Sequence, residues 1–580
     1  LLGRRNRDEP RVSDTSHKKK LIEVALPLDE INAACKADKD HKTGTLRNIH
    51  KWFAPMPLPA WRALLFAALV DDPADDSRRA YLLDVIKRLV GNGADLPDSM
   101  DLREANNILC EQFPDGLPTV LDPFCGGGST LVEAQRLGLP SFGSDLNPVP
   151  VLITRTLTEV LPKVHNGQPL HGDPPSATQL FAGSSEVSGY EGLGRDVRYY
   201  ADLVGERARK KLSRFFPTRT GEVPSTWLWA RTVKCPNPAC GTVTILSTSW
   251  WLSKRKGDLA WFVPCILDGE VHLGVEVSNR AGEAPPSPKI GDGIFACLAC
   301  NATLDGPYLR AEGKANRLGL RLLGVVATRD RRRVFHAAEA FDLAPLTSLP
   351  DLDGIAEVPI NTSGQGIRVG LYGIDTWAKL FAPRQLLTLA TFSELVGQVR
   401  QDVLADGGSD HWADAVVALL GLAVGKLAHG GSSQNRWKFD SRSGTAKAEA
   451  AFGRNDLPMT WDFAEVDPLG QGSMSWKQSV DTMLDALPFA PAGSGTVVRA
   501  DARTTSSSVA SLVATDPPYF DAIGYADLSD YFYIWHRRTL RESFPDLYAT
   551  VAAPKSGELT AVPSHHGNSK DRARTYFIEG

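Results

Sequence analysis

The 580-residue sequence predicts an α/β fold in which a Rossmann-like sheet is interrupted by one large insertion. The first observation is residues 119–148, which read as strand, glycine-rich turn, helix and second strand, the first half of an open parallel sheet. The second is that strand-like sequence of this kind resumes only at 496–501 and 511–516. Roughly 335 residues lie between the two parts, far more than a loop, so the insertion must have its own structure.

The composition is that of a folded protein and excludes two other classes. Hydrophobic residues make up 42% and charged residues 23% of the chain, a balance typical of globular domains and not of disorder. No apolar run approaches the ~20 residues of a membrane span, so we expect no membrane partner. Eight cysteines do not suggest a disulfide scaffold in so long a chain, which predicts a cytoplasmic protein. Because the net charge is only −4, a nucleic acid would have to be held by local basic patches.

The chain before the first strand is predicted to be helical. Residues 1–48 form a polar, basic arm and a helix over 21–37, which Pro27 interrupts. An apolar helix over 60–70 follows, and 71–117 holds two more helices that return the chain to the central strand.

Residues 49–164 form the first part of the predicted core, built around the glycine-rich turn. Ser129 stands where the N-cap of the next helix is expected, and Gly138 stands at the end of that helix. The second strand, over 141–144, is followed by a helix over 149–160 that continues to cover the sheet.

The turn itself carries the residue types of a nucleotide site. Asp122 ends the first strand, and Phe124, Gly126 and Gly128 line the turn that follows. Glycines let the backbone approach a ligand closely, and an acid at the end of the second strand, here Asp145, accepts hydrogen bonds from ribose hydroxyls. The spacing alone is compatible with NAD, FAD or S-adenosylmethionine.

Two close pairs of cysteines predict a zinc ribbon over about 227–305. Cys235 and Cys240 form the first pair, and Cys297 and Cys300 the second, with strand-like sequence between them. Four thiolates close a tetrahedral structural site that leaves no position for catalysis, although the first spacing is longer than the usual two residues. The alternative is four unlinked buried thiols. The other cysteines have no such partner: Cys35, Cys110, Cys125 and Cys265.

The insertion, residues 195–490, also offers two basic segments. Residues 250–256 interleave tryptophans with basic side chains, and a hairpin over 322–336 has a basic tip at Arg329 and 331–333. Such segments neutralise phosphates in nucleic-acid-binding proteins, and solvated surface is the alternative interpretation.

The rest of the insertion is predicted to be mixed. Residues 195–216 read as a charged helix and 366–428 as helical, whereas 432–437 and 452–463 are aromatic-rich loops. Residues 491–580 then resume the core, and we expect them to end before the sheet is complete.

Three motifs carry a resemblance to a known family. Asp122-Pro-Phe-Cys-Gly-Gly-Gly-Ser resembles the D-P-F-x-G-x-G turn of amino-group DNA methyltransferases, and Asp145-Leu-Asn-Pro resembles their second motif. The run Asp516-Pro517-Pro518-Tyr519 resembles their D-P-P-Y catalytic signature. The order of glycine turn, zinc ribbon and D-P-P-Y resembles the adenine-specific DNA methylases that contain a zinc-ribbon domain.

The resemblance implies a fold, a reaction and its participants. The sheet would be that of a class I methyltransferase, with S-adenosyl-L-methionine as cofactor and Zn²⁺ in a structural role. The reaction would transfer a methyl group to the N6 amine of a flipped adenine in double-stranded DNA, which the insertion would recognise. Members of this family often belong to restriction–modification or phage-defence systems, which implies partner subunits.

The resemblance also implies roles for further residues. Asp501 would lie near the adenine of the cofactor, and the segment His50-Lys51-Trp52-Phe53 would close over its methionine end. For Trp52 and Phe53 the alternative is a place in the core.

The chemistry expected of the D-P-P-Y segment concerns a poorly nucleophilic amine. Asp516 would accept one hydrogen bond from the target amino group and the carbonyl of Pro517 the other, which localises the nitrogen lone pair. Tyr519 would stack on the base taken out of the duplex.

Three alternatives remain open at this point. D-P-P-Y does not separate N6-adenine from N4-cytosine methylation. Protein glutamine methylation usually has Asn where this chain has Asp516. A DNA-recognition subunit that keeps the methylase fold without catalysis is the third.

Overall fold

The computed structural model describes residues 18–93, 95–171, 188–280, 282–505 and 510–580, and side chains 510 and 511 are excepted. Most of the predicted basic arm lies outside the described residues. The helices are α1 (Leu21–Val24), α2 (Leu28–Asp40), α3 (Leu58–Leu69), α4 (Asp76–Val90), α5 (Ser99–Gln112), α6 (Ser129–Arg136), α7 (Pro148–Arg155), α8 (Glu191–Leu212), α9 (Gly306–Lys314), α10 (Ala340–Leu343), α11 (Pro383–Ala405), α12 (Asp410–Gly430), α13 (Trp476–Leu484), α14 (Tyr525–Leu540) and α15 (Lys570–Glu579).

The strands fall into one parallel sheet and several antiparallel ones. They are β1 (Thr119–Asp122), β2 (Ser141–Asp145), β3 (Val223–Lys234), β4 (Val243–Ile245), β5 (Trp251–Arg255), β6 (Asp258–Leu267), β7 (Glu270–Ser278), β8 (Lys289–Gly291), β9 (Ile294–Ala296), β10 (Thr303–Leu304), β11 (Gly319–Arg329), β12 (Arg332–Ala337), β13 (Arg436–Phe439), β14 (Ala446–Glu449), β15 (Asp462–Val466), β16 (Gly495–Arg499) and β17 (Ala510–Val513).

The parallel sheet has the order β16-β2-β1-β17, so β1 and β2 lie at its centre. The first two strands of the chain, β1 and β2, therefore pair with its last two, β17 and β16, which follow the insertion. The strand that follows β1 along the chain, β2, lies on one side of it, and β17 lies on the other side. In open α/β sheets, the carboxyl ends of the strands form a ligand-binding crevice at such a switch point. The prediction of an α/β fold with a parallel sheet is confirmed.

Helices α1–α6 cover one face of this sheet, much as predicted. Pro27 separates α1 from α2, and α3, α4 and α5 follow in the order expected. Arg62 of α3 forms a buried ion pair with Glu133 of α6, with 2.6 Å between Nε and Oε2. The pair links the N-terminal helices to the helix that follows the glycine turn.

The predicted N-cap of α6 is wrong by one residue. Gly128 is the N-cap, with a φ of 86°, and Ser129 is the first helical residue. The turn must end in left-handed backbone, which glycine adopts without the steric cost of a side chain. The Ser129 hydroxyl instead donates a hydrogen bond to the carbonyl of Met56.

Helix α7 packs against β2 and β16, and a layer of long helices lies beyond it. Helix α12 lies at its centre and packs against α8, α11 and α14. Among the described residues, α12 is the one helix long and apolar enough to cross a membrane, but 83% of its apolar window is buried inside the protein. It is therefore the core helix of this layer.

The insertion forms antiparallel sheets of its own. Strand β3 lies in a five-stranded sheet with the path β12-β11-β3-β15, and β4 pairs with its end. The predicted hairpin over 322–336 is confirmed as β11 and β12, whose turn holds Asp330 and Arg331 at positive φ. Strands β5, β6 and β7 form a separate three-stranded sheet between the cysteine pairs.

One buried ion pair joins this sheet to the helical layer. Arg384 of α11 contacts Glu465 of β15 through two hydrogen bonds, of 2.9 and 2.6 Å. The indole of Trp229 on β3 donates to the same carboxylate at 2.7 Å, and the Arg384 guanidinium lies 4.4 Å from the ring centroid of Trp227. Both charges are buried, and the two bonds between Arg384 and Glu465 hold the sheet to the helical layer.

We expect Glu465→Gln to lower the free energy of unfolding by about 3 kcal/mol, because it leaves the Arg384 charge buried without a counter-charge. Urea denaturation of the whole chain measures this. Glu191→Gln is the matched control, since Glu191 pairs with Arg195 on the surface of α8 and should cost less than ~0.5 kcal/mol. Equal midpoints for both variants would contradict the role of the pair.

Candidate functional site

A pocket with an empty volume of about 960 Å³ lies at the carboxyl ends of the parallel strands. It collects residues from both parts of the core and from the N-terminal segment. Among the sequence-predicted site residues, these line it: Trp52, Asp122, Phe124, Gly126, Asp145, Asp501, Asp516 and Pro518. The other predicted ligand-site residues do not line it: His50, Lys51, Phe53, Gly128, Pro517 and Tyr519.

Asp122 ties the two parts of the core together. Its Oδ1 accepts a hydrogen bond from the backbone N–H of Phe124 at 3.1 Å and from the hydroxyl of Thr515 at 2.7 Å. The first bond shapes the glycine turn, and the second holds the segment that leads into Asp516. Burial raises the pKa of Asp122 to about 6.

Asp145 holds the other side of the turn. Its Oδ2 accepts from the backbone N–H of Gly126 at 3.2 Å, and its Oδ1 accepts from that of Asn147 at 2.9 Å. Burial raises the pKa of Asp145 to about 7. A carboxylate has about four acceptor positions, so two backbone donors leave capacity for a ligand hydroxyl.

Trp52 is the one member of its segment that reaches the pocket. The ring stacks at 6.0 Å on Tyr525 of α14, and its Nε1 lies 3.0 Å from the point where a Cβ on Gly126 would stand. Glycine is needed there because the turn and the indole are packed together. His50 and Phe53 are buried behind Trp52, where both rings contact Phe532.

The D-P-P-Y segment stands at the mouth of the pocket. The Tyr519 hydroxyl donates to both oxygens of Asp516, at 3.0 and 2.9 Å. The Tyr519 side chain is 51% exposed, and that of Phe520 is 43% exposed. An aromatic face is thus open to solvent beside a carboxylate that points into the pocket.

Tyr525 and Glu558 are among the pocket-lining residues that the sequence did not predict. Glu558 accepts a hydrogen bond from the backbone N–H of Ala526 at 2.8 Å, and burial raises its pKa to about 8. No motif surrounds Glu558, and it comes to the pocket from a segment more than forty residues beyond β17.

The pocket is strongly acidic. Five carboxyl groups line it: Asp122, Asp145, Asp501, Asp516 and Glu558. The one cationic side chain in its lining, Arg503, is paired with Asp501 at 2.5 Å. Such a lining favours a ligand that carries positive charge, and it disfavours the pyrophosphate of a dinucleotide.

The two cysteine pairs meet in a second site. The sulfurs of Cys235, Cys240, Cys297 and Cys300 all lie within 4.8 Å of one another, with 3.6 Å between those of Cys235 and Cys300. Four sulfurs each ~2.3 Å from a zinc ion would stand about 3.8 Å apart at the corners of a tetrahedron. The four cysteines are close enough to bind a metal ion, as predicted.

Comparison with known proteins finds one match. The family described as "Protein of unknown function (DUF1156)" matches residues 25–84, which span the segment from α2 into α4 and include Trp52. No curated protein and no solved structure matches the chain.

We expect the purified chain to hold about one equivalent of zinc, because four converging thiolates without a metal would repel one another when ionised. Metal analysis by mass spectrometry measures it. Cys297→Ser should lose the metal, and with it much of the local fold, since structural zinc contributes about 10–16 kcal/mol in isolated modules. Cys265→Ser, which changes an exposed cysteine outside the cluster, should keep the full equivalent. Retention of zinc by Cys297→Ser would contradict the site.

Proposed function

We propose that this chain is the S-adenosyl-L-methionine-dependent enzyme that methylates the N6 amine of adenine in double-stranded DNA. The observation that carries the proposal is the single pocket shared by the glycine turn, Asp145 and Asp516. In this proposal the parallel sheet is a class I methyltransferase sheet. The cysteine cluster holds a structural zinc and takes no part in the reaction. A cytoplasmic role in restriction–modification or phage defence, with partner subunits, follows from the family resemblance alone.

The residues present fit the proposed cofactor better than the alternatives NAD and FAD. The cofactor carries a cationic sulfonium and a cationic ammonium group beside one carboxylate, and the acidic lining of the pocket complements its net positive charge. Gly126 would bring the backbone of the turn to the cofactor, Asp145 would accept from the ribose hydroxyls and Asp501 would face the adenine. Trp52 would cover the turn from the N-terminal side. The bound cofactor supplies an electrophilic methyl group.

Asp516 would act on the target amine. Its carboxylate would accept a hydrogen bond from one N–H of the exocyclic amine, with the Pro517 carbonyl accepting from the other, and so localise the lone pair on nitrogen. Holding the amine at near-attack distance supplies most of the remaining rate enhancement. The exposed Tyr519 ring would stack on the flipped base, which returns about 1–3 kcal/mol of the cost of unstacking it.

We expect Asp145→Asn to weaken cofactor binding about tenfold, because a neutral amide is a poorer acceptor for buried ribose hydroxyls. The affinity of the unmodified protein should fall as the pH is lowered through about 7, since burial raises the pKa of Asp145 to about that value and protonation removes the acceptor charge. Isothermal titration calorimetry at several pH values measures both effects.

The control for this experiment is Asp571→Asn, an exposed acid in the first turn of α15 that does not line the pocket. It should leave the affinity and its pH profile unchanged. An Asp145→Asn variant that bound the cofactor as tightly as the unmodified chain would contradict the assignment of the ribose site.

We expect Asp516→Ala to abolish methyl transfer while leaving cofactor affinity within about twofold. Its partner in the reaction is the target amine, so the loss falls on the chemical step. Tyr519→Phe keeps the stacking ring and should retain most activity, whereas Tyr519→Ala should raise KM for DNA about tenfold. Mass spectrometry of nucleosides from DNA incubated with labelled cofactor gives the readout.

The same experiment separates the competing functions. Label on cytosine would favour N4-cytosine methylation, and label on protein glutamine would favour a protein methyltransferase. Cofactor binding without label on any DNA would favour a recognition subunit that has kept the fold but not the reaction.

A further inference from the structure

The insertion contains a second large cavity, with an empty volume of about 1070 Å³, far along the chain from the acidic pocket. It lies between the five-stranded sheet, the β13–β14 hairpin and strand β5. Its lining is dominated by aromatic rings: Trp229, Trp251, Phe262, Trp437, Phe439, Trp461 and Phe463. Three sequence segments rich in aromatic residues, around 250–256, 432–437 and 461–463, are thus brought together around one space.

Polar groups stand at defined points of this cavity. Asp462 lies in its wall, where its carboxylate accepts from the backbone N–H of Thr248 at 2.9 Å and from the hydroxyl of Thr248 at 2.8 Å. The Ser247 hydroxyl also donates to this carboxylate, at 3.4 Å. These bonds orient the carboxylate and leave about one of its four acceptor positions for a ligand. Ser249 and Thr460 also line the space. The cavity therefore combines flat apolar walls with a fixed hydrogen-bond acceptor.

Basic side chains lie at the mouth of the cavity. Lys254 lies 4.9 Å from the ring centroid of Phe439 and 5.6 Å from that of Trp251. The lining itself holds Lys289, Asp292 and Arg436, and Arg436 pairs with Glu449. Lys254 is also bound through its backbone N–H to the carbonyl of Gly444, at 3.0 Å, which joins β5 to the loop between β13 and β14.

Three basic turns lie close to this mouth. Arg333, at the β11–β12 turn, donates to the Ala446 carbonyl at 2.5 Å, which attaches that hairpin to β14. Burial lowers the pKa of Arg333, and the charge of Arg255 lowers it further, which reflects the proximity of the β5–β6 turn. Arg329 pairs with Glu222 and is not free for a ligand.

The remaining basic side chains at these turns are open. In the described part of the chain, the following have no carboxylate partner: Lys254, Arg255, Lys256, Arg331, Arg332, Arg442 and Lys447. They come from three segments of the insertion: the β5–β6 turn, the β11–β12 turn and the β13–β14 hairpin. Because no salt bridge within the protein neutralises these side chains, their charge is available to bind phosphates.

We propose that this cavity receives a single unpaired nucleobase, with its flanking phosphates held by the basic turns. A flat ring stacks on tryptophan and phenylalanine faces whatever its identity, and Asp462 would accept from ring or exocyclic N–H groups of the base. The proposal rests on the proposed function only in taking DNA as the nucleic acid.

The charge of the mouth decides against two other ligand classes. A quaternary or methylated ammonium group favours aromatic cages, but unpaired lysines and arginines at the entrance would repel it. An aromatic side chain of a protein partner would use the rings without using the basic turns. A nucleotide strand would use both features, because its base would contact the rings and its flanking phosphates would contact the basic turns.

The test compares two single-stranded DNA ligands of equal length, one intact and one abasic throughout, by fluorescence anisotropy at two salt concentrations. Both carry the same phosphates, so their affinity ratio isolates the contribution of the bases. The unmodified chain should bind the intact strand about tenfold more tightly. Trp437→Ala should reduce that ratio to about one, and Trp437→Phe should restore most of it.

The controls separate the base site from the basic turns and from the acidic pocket. Phe341→Ala removes a half-exposed ring on α10 and should leave the ratio unchanged. The double change Arg331→Ala and Arg332→Ala should weaken both ligands equally and flatten the salt dependence. Cofactor affinity and zinc content of Trp437→Ala should equal those of the unmodified chain, which shows that it has folded.

Two outcomes would overturn the proposal. One is an unmodified chain that binds intact and abasic strands equally, which would leave a protein partner as the occupant of the cavity. The other is a Trp437→Ala variant that keeps the full preference. Neither outcome depends on methyl transfer, so a chain that failed to methylate DNA could still pass this test, and the reverse.

Discussion

The architecture depends on how one buried carboxylate joins two distant parts of the chain. Asp122 ends the central strand and accepts hydrogen bonds from the glycine turn beside it and from Thr515, which is 393 residues away. Removing a carboxylate from water is costly, and the raised pKa of Asp122 reflects that cost. The two bonds offset it, and they align the turn with the segment that carries Asp516. The pocket exists because both parts are held at one edge of the sheet.

The insertion packs into the core of the protein and does not form a separate domain on its surface. It leaves the sheet after α7 and returns as β16, which pairs with β2. Between these points, α8, α11 and α12 form the helical layer against which α14 of the C-terminal part also packs, so both parts contribute to one hydrophobic core. The buried Arg384–Glu465 pair then fastens the antiparallel sheet to that layer. A nucleic acid held by the insertion would therefore be held in a fixed relation to the acidic pocket.

The two cavities differ in the charges of their lining. The pocket at the sheet collects five carboxyl groups, and burial raises the pKa of three of them into the range of about 6 to about 8. It therefore holds protons near neutral pH that a cationic ligand would displace. Unpaired lysines and arginines lie instead at the turns near the aromatic cavity. This separation would let a chain with a net charge of −4 bind both of the proposed ligands.

The sequence alone was enough to predict those features that contiguous residues determine. The strand, glycine turn, helix and strand around Asp122, the β11–β12 hairpin and the helix broken at Pro27 follow from local patterns, and the structure confirms them. The proximity of the two cysteine pairs was predicted from the short spacing within each pair, which is typical of zinc ribbons. Even here one local detail was wrong, because the left-handed backbone at the end of the turn made Gly128, not Ser129, the cap of α6.

Only the tertiary structure decided which distant side chains meet. Glu558 and Tyr525 line the pocket although no motif marks them, and His50 and Phe53 are buried behind Trp52 although their segment resembled a cofactor lid. The aromatic segments of the insertion converge on one cavity for the same reason. Such contacts depend on how sheets and helices pack across hundreds of residues, and local propensity carries no information about that packing.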